Sequence, residues 1–347
     1  MSTGVDRLPD AGWTAEEFLE AVDGIAGAAL RAAATLRLAD HIASGYDDLA
    51  SLAQRCGAAA GPLARLLRFL TCRNVFAEPT SDRYALTELS VLLLEGHPGS
   101  LRAWLDAGGI GVRLDAAVQA LPDAVRTGSA SYTTLFGTDF YTDLAALAPE
   151  GRPGFDRLRS TYAVTFADQL VEALPLADSK VVLDVGGGAG VLLERLLHTH
   201  PGLSGGVVDL PAAVAGAVDR LVASGIAESR YGWCRAGSFF DPLPAGADVC
   251  LLVDVLHNWD DADAVRILRR CREAVGPSGA VHVVEHQLDS TDDRTGTAMD
   301  LRMLVLCGGA QRSADDLRRL AQEAELTPTA DQGLVDGRRL TTYRERR

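Results

Sequence analysis

Basic side chains are scarce in this 347-residue chain: 33 Lys+Arg stand against 47 Asp+Glu, a formal net charge of −14. Lysine is nearly absent, with Lys180 alone in the sequence. An acidic balance of this size disfavours a general binder of nucleic acid or of anionic membranes. Cysteine is sparse as well: Cys56, Cys72, Cys234, Cys250, Cys271 and Cys307 are scattered and form no CxxC pair. They read as small buried hydrophobes in a reducing cytoplasm, not as a disulfide frame or a zinc site. No apolar run approaches the roughly 18 residues of a membrane span. Asp6, Asp10, Glu16 and Glu17 stand early in the chain, where a secretory leader would carry basic residues before an apolar core, so no leader is expected. What remains is 47% hydrophobic and 23% charged, a composition able to bury a real core. At roughly 100–200 residues per domain the length suggests two domains. A cytoplasmic enzyme is the expectation.

The first third reads as helical. Trp13–Ser44 is Ala/Leu-rich, with Phe18, Val22, Ile25 and Ala29 at helical spacing. Leu49–Cys56 and Gly61–Leu70 are shorter helical patterns broken at Gly57–Pro62, and Val75-Phe76, a polar turn at Pro79–Arg83 and Tyr84–Leu86 follow. Two helices and a short hairpin make a winged-helix pattern. Arg65 and Arg68 are few bases for a DNA-reading helix, so dimerisation or docking is the expected use. Leu101–Leu174 stays helical, interrupted at Thr127–Gly137 and Pro149–Pro153, and either walls a pocket or bridges domains. After Pro175, apolar runs at Val181–Val185, Val207–Asp209, Asp248–Val255 and Ala280–Val284 alternate with helical segments at Val191–His198, Ala212–Ala223 and Ala262–Val275. Such alternation indicates a doubly wound α/β domain with a parallel sheet. The boundaries are drawn at residues 1–105, 106–174 and 175–347.

Asp184–Gly190 reads D-x-G-x-G-x-G directly after one apolar run and before a helix. Glycines there permit positive φ and let a ligand lie against the backbone at the carboxyl edge of a sheet. A dinucleotide fingerprint would need glycine where Val191 stands, and a P-loop would need a Gly-Lys-Ser/Thr ending that the chain lacks. The pattern instead resembles the loop of class I S-adenosylmethionine-dependent methyltransferases. Asp184 could orient the ammonium of such a cofactor. Asp209, at the end of the next strand, stands where these folds set a carboxylate on ribose hydroxyls; its alternative role is to cap the helix after Pro211.

His257 follows the third apolar run at an elbow, where a neutral imidazole can take a proton from a phenol or an acidic hydroxyl. A helix-start histidine beside Asp260 or Asp261 is the plainer reading of that residue alone. The tract Leu251–Asp261 (L-L-x-x-V-L-H-N-W-D-D), with Arg235–Phe240, Val283–Glu285, Met303–Ser313 and the N-terminal tract Pro62–Trp104 in order, resembles the small-molecule O-methyltransferases of plant type and their actinobacterial relatives. The resemblance covers nearly the whole chain. It implies a homodimer built through the N-terminal domain and S-adenosylmethionine held in the C-terminal one. Carried over by position, Asp184, Gly186, Gly188, Gly190, Asp209, Leu210 and Gly237–Ser238–Phe239 would line the cofactor site. His257 would be the general base and Glu285 its partner, with Trp259 packing at the elbow. The expected substrate is a small, hydroxylated, aromatic metabolite.

Three departures from the family pattern stand out. Ser238 replaces an acid, Val253 and Asp254 replace a Lys or Ser, and Gln311 replaces a second carboxylate. A family member that does not methylate but uses the cofactor structurally or electrostatically is therefore a rival reading. A winged-helix regulator with a nucleoside sensor is a rival of another class. His282–His286 also fits H-x-x-E-H, but valines surround it and it reads as a strand, which would hold the two imidazoles roughly 13 Å apart. No metal is expected there.

Overall fold

The computed structural model describes Thr14, Leu19 and residues 22–146, 166–176, 178–288, 293–334 and 337–346. Trp13, Phe18 and the Pro149–Pro153 break lie outside the described residues. The chain divides into two compact units, 1–109 and 110–347.

In the first unit the described part of the Ala/Leu-rich stretch holds the helices α1 (Ile25–Thr35) and α2 (Leu38–Ala43). Arg37, at a left-handed φ of 53°, separates them, and Leu38, Ala39 and Ile42 of α2 join Ala29, Ala33 and Ala34 of α1 in one core. Helix α3 (Leu49–Cys56) starts on Asp48, whose side chain accepts from Ser51 N at 3.0 Å. Helix α4 (Ala60–Cys72) turns Leu63, Leu67 and Leu70 inward. Strands β1 (Phe76–Thr80) and β2 (Arg83–Leu86) pair antiparallel, with Phe76 opposite Leu86. This is a winged helix, followed by the short helix α5 (Arg102–Leu105).

The second unit opens with α6 (Ile110–Gln119), α7 (Leu121–Thr127), α8 (Ser131–Phe136) and α9 (Phe140–Ala146). Helix α8 occupies the Gly/Ser/Thr-rich stretch that reads as an interruption. Its polar composition is tolerated because Tyr132 is fully buried and Ser131 Oγ donates to Ala117 O at 2.8 Å.

Among the described residues, seven strands form one sheet in the order β5-β4-β3-β6-β7-β9-β8. They are β3 (Val181–Val185), β4 (Ser204–Asp209), β5 (Arg235–Ala236), β6 (Val249–Val253), β7 (Ala280–His286), β8 (Leu326–Gly333) and β9 (Arg338–Glu345). The helices between and after them are α10 (Val191–Thr199), α11 (Pro211–Ala223), α12 (Asp261–Val275), α13 (Arg294–Cys307) and α14 (Ala314–Glu323). β3 to β7 run parallel, and β9 and β8 add an antiparallel extension to the β7 edge. The fold is α/β, doubly wound and Rossmann-like. The antiparallel pair escapes a sequence reading because its residues, such as Thr327, Asp331, Thr341 and Arg344, lack an apolar run.

Strand alternation fills both faces. Val182, Val249, Leu251 and Val284 join Leu193 and Leu196 of α10 on one side. Leu183, Val185, Cys250, Leu252, Val281 and Val283 join Ile267, Leu268, Leu317 and Leu320 on the other. Strand order reverses between β3 and β6, which opens a crevice at their carboxyl ends. Among the described residues no helix is long and apolar enough to cross a membrane.

Candidate active site

The loop after β3 is shaped by its neighbours. Asp184 is buried at 2% exposure, with its carboxyl group directly against Gly187. Gly186, at φ 77°, could carry no side chain, since a Cβ would come within 2.8 Å of Val255 Cγ2. Gly190, at φ 72°, caps α10 and packs on Ala217. Gly188 differs: at φ 58° its Cβ direction meets no atom within 4 Å. Beside it, Asp209 Oδ2 accepts from Gly188 N at 2.9 Å and Oδ1 accepts from Leu210 N at 2.6 Å. Asp209 is thus not the cap of α11, whose cap position is Leu210 with no side-chain hydrogen bond. Gly237 N donates to Asp209 O at 3.0 Å, and Ser238 Oγ accepts from Phe240 N at 3.2 Å. Gly237 and Ser238 are exposed and Phe239 is half-buried. Open space over Gly188, bounded by a strand-end carboxylate and by the exposed end of β5, fits a nucleoside bearing hydroxyls, as S-adenosylmethionine does.

The elbow after β6 is held differently. Asp254 has a left-handed φ of 52°, a conformation that costs a residue with a Cβ of order 1–3 kcal/mol. The Arg338 guanidinium grips its carboxylate, with Nε 3.1 Å from both oxygens and Nη2 2.7 Å from Oδ2. Glu285 Oε1 accepts from the backbone N–H groups of Val255 (3.1 Å), Leu256 (2.7 Å) and His257 (3.4 Å). Arg312, itself buried, donates to Leu256 O at 2.8 Å, Trp259 O at 2.7 Å and Asp261 Oδ1 at 3.0 Å. Asn258 Nδ2 donates to the carbonyls of Asp254 (3.2 Å) and Val255 (3.1 Å). Gly309 lies so close beneath that any Cβ would collide with the carbonyl of His257.

His257 is 7% exposed. Its Nδ1 lies 3.2 Å from Glu285 Oε2 and 3.3 Å from Gln311 Nε2. Burial, reinforced by the charge of Asp254, pushes the Glu285 carboxyl up to about 8, while the N–H groups of Leu256 and His257 and the Arg312 charge pull the other way. Trp259 packs edge-on against Phe239 and Phe240 at 5.6 and 4.7 Å and stacks with Tyr141 at 6.3 Å.

Residues 118–326 match the family model of the O-methyltransferase domain, and residues 19–96 match that of the O-methyltransferase dimerisation domain. The chain belongs to the O-methyltransferase family. With it, the protein is an S-adenosylmethionine-dependent enzyme. This methyltransferase is 42% identical to a 2,7-dihydroxy-5-methyl-1-naphthoate 7-O-methyltransferase of Streptomyces carzinostaticus, over 87% of its own length and 90% of the relative's. It is 39% identical to an aclacinomycin 10-hydroxylase of Streptomyces purpurascens, over 86% and 80% of the two chains. Its structure is similar to that of an O-methyltransferase from neocarzinostatin biosynthesis in complex with S-adenosyl-L-homocysteine and 1,4-dihydroxy-2-naphthoic acid. The TM-score there is 0.84 at 38% identity, covering 96% of this chain and 100% of the other.

The methyltransferase brings Asp254, His257 and Glu285 within 4.8 Å of one another, a spacing that invites comparison with a metal site. Arg338 takes the Asp254 carboxylate and the elbow N–H groups take Glu285 Oε1, while Glu285 Oε2 and Gln311 Nε2 face His257 Nδ1. His282 and His286 sit on β7 with separate partners. His282 Nδ1 meets Thr342 Oγ1 at 3.0 Å, and burial lowers its pKa to about 4. His286 contacts Asp293, the cap of α13. Sequence reasoning missed Arg312, Arg338 and Asn258 as builders of the elbow. Arg312 stands inside a matched tract, yet no spacing signals that it reaches 56 residues back to Leu256.

Proposed function

We propose that the enzyme transfers the methyl group of S-adenosylmethionine to a hydroxyl of a small aromatic metabolite, with His257 as general base and Glu285 as its partner. One arrangement carries this reading: an imidazole at the sheet's ligand edge whose Nδ1 faces Glu285 and Gln311, which makes Nε2 the nitrogen to take a substrate proton. S-adenosylmethionine, when bound, supplies a methyl carbon already activated by its sulfonium. Asp184, Gly186, Gly188, Gly190, Asp209, Leu210, Gly237, Ser238 and Phe239 would hold it. The protein must then align acceptor and methyl carbon, a contribution of about 7–11 kcal/mol, and remove one proton. His257 takes that proton at Nε2, and Glu285 holds the imidazolium at Nδ1. Burial pushes the Glu285 carboxyl up to about 8, so turnover should rise with pH as Glu285 ionises and holds the ring proton on Nδ1.

The naphthoate acted on by one relative and the dihydroxynaphthoic acid bound by the structural neighbour favour a fused-ring aromatic acceptor. We assign residues 1–105 to homodimerisation, 106–174 to the substrate wall and 175–347 to methyl transfer, in the cytoplasm. Support for the dimer comes from the match to a dimerisation domain and from Leu19, Val22 and Ile25, which are 68%, 72% and 50% exposed.

His257→Ala tests the base. Turnover of a hydroxynaphthoate should fall by about 10²–10⁴-fold, with the calorimetric affinity for S-adenosyl-L-homocysteine within about twofold of wild type. Wild-type turnover in that variant would remove His257 from the chemistry. It would favour the second reading, a non-methylating enzyme, for which Gln311 and the 39% identical hydroxylase speak.

A further inference from the structure

Gln311 lies between α13 and α14 and is 8% exposed. Its backbone N–H donates to Asp300 Oδ1 at 2.8 Å, which anchors the root of the side chain. Its Nε2 meets His257 Nδ1 at 3.3 Å, while its Oε1 is buried with no hydrogen-bond partner among the described residues. Glu285 Oε2 lies 3.2 Å from the same ring nitrogen, and it too lacks a well-aligned hydrogen bond among the described residues. One nitrogen therefore faces a donor and an acceptor and can answer only one of them, because Nδ1 carries either a proton or a lone pair. A lone pair on Nδ1 suits the amide N–H and puts the ring proton on Nε2, where it blocks the base. A proton on Nδ1 suits ionised Glu285 and frees Nε2. A half-turn of the carboxamide would present Oε1 to that Nδ1–H and satisfy an acceptor whose isolation costs about 1–3 kcal/mol.

We propose that Gln311 is a positioning residue that selects the tautomer of His257. Its amide N–H holds the resting ring with the proton on Nε2, and its carbonyl, after a half-turn, accepts from Nδ1–H once Glu285 is ionised. The proposal rests on the reading of His257 as base and adds to it a neutral, two-faced partner. A carboxylate at 311 could only accept, and would hold the ring as Nδ1–H throughout. The other charges around the pair are fixed by their own partners: Asp254 by Arg338 of β9, Arg312 by Asp261 of α12, and Asp300 of α13 by the Gln311 N–H. Glu285 of β7 is left as the group whose ionisation drives the exchange, and burial sets its titration near the working range.

The test is ¹⁵N NMR of the imidazoles in the full-length, ligand-free enzyme, with His257 assigned by comparison with His257→Ala. Wild-type His257 should move from the Nε2–H to the Nδ1–H pattern as pH rises through the Glu285 titration. Gln311→Glu should show Nδ1–H or imidazolium at every pH, with protonation persisting to higher pH by about one unit or more. Gln311→Met, of similar size, should lose the preference for Nε2–H at low pH and lower kcat by about 3- to 10-fold, as for one hydrogen bond. KM should hardly change, and Gln311→Glu should recover kcat. Identical ring patterns in wild type and Gln311→Met across the pH range would overturn the proposal. Should His257→Ala retain full turnover, the base reading falls, while the ring patterns still decide whether Gln311 selects the tautomer.

Discussion

The loop after β3 and the elbow after β6 face each other across one crevice, touching where Gly186 packs on Val255, yet they are built by opposite means. The loop is a run of contiguous residues whose shape comes from left-handed glycines, with the Asp209 carboxylate tying it to the next strand. The elbow has ordinary side chains and is held by charged groups 28 to 84 residues further along the chain. A loop made of backbone offers its N–H groups to a ligand and tolerates little added bulk. An elbow made of buried charges is rigid only while every charge keeps its partner, because removing one leaves the other desolvated and uncompensated.

That contrast can be broken or sharpened by substitution. The largest effect is expected at Arg312→Leu, which strips the carbonyls of Leu256 and Trp259 of their donor and takes one of two arginines from Asp261. Urea unfolding should show a loss of about 2–5 kcal/mol, as for two buried acceptors left unsatisfied. A loss below about 1 kcal/mol would mean that the elbow does not depend on distant charges. Gly188→Val should act on the ligand rather than on the fold. Affinity for S-adenosyl-L-homocysteine should weaken by at least about 100-fold, about 2.7 kcal/mol, against about 1–2 kcal/mol of stability for a left-handed residue. Unchanged affinity would rule this loop out as the cofactor site.

The smallest effect is expected at Glu285→Gln, whose carbonyl can still accept from the elbow N–H groups. Burial raises the Glu285 carboxyl from 4.5 to about 8, so across that interval the folded protein keeps a proton that the unfolded chain has released. This contribution to stability is complete below about pH 4.5 and is lost as pH rises through about 8. The Gln variant has no such proton to lose, so its Tm should fall less than that of wild type between pH 6 and 9, by about 2–4 °C. Parallel Tm curves for the two proteins would show that Glu285 is not held protonated.

Wherever neighbours in sequence are neighbours in space, the reading from sequence went far. D-x-G-x-G-x-G after an apolar run marks a turn at a sheet edge, and the alternation of apolar runs with helical patterns yields the parallel strands. Where the chain's own period competes with a three-dimensional core, it went less far. Trp13–Ser44 reads as helical by its spacing, but the break at Arg37 and the core that Leu38, Ala39 and Ile42 share with Ala29 and Ala34 leave no mark in that period. Strands β8 and β9 were invisible for a related reason: they are stabilised by pairing with β7 and with each other, and pairing leaves no apolar signature in polar residues.

The sequence by itself determined the fold class, the family and the local chemistry: a glycine turn, a strand-end acid and a histidine at an elbow. These depend on φ preferences and on periods of two and 3.6 residues, which act over short stretches of chain. Beyond the Glu285 partner that the resemblance implies, only the tertiary structure decided what holds that histidine. Arg312, Arg338 and Glu285 converge on the elbow at residues 254–259, and Gln311 and Glu285 meet at one ring nitrogen. Buried charges and amides find their partners across the fold, wherever packing has excluded water, and no spacing along the chain records that choice.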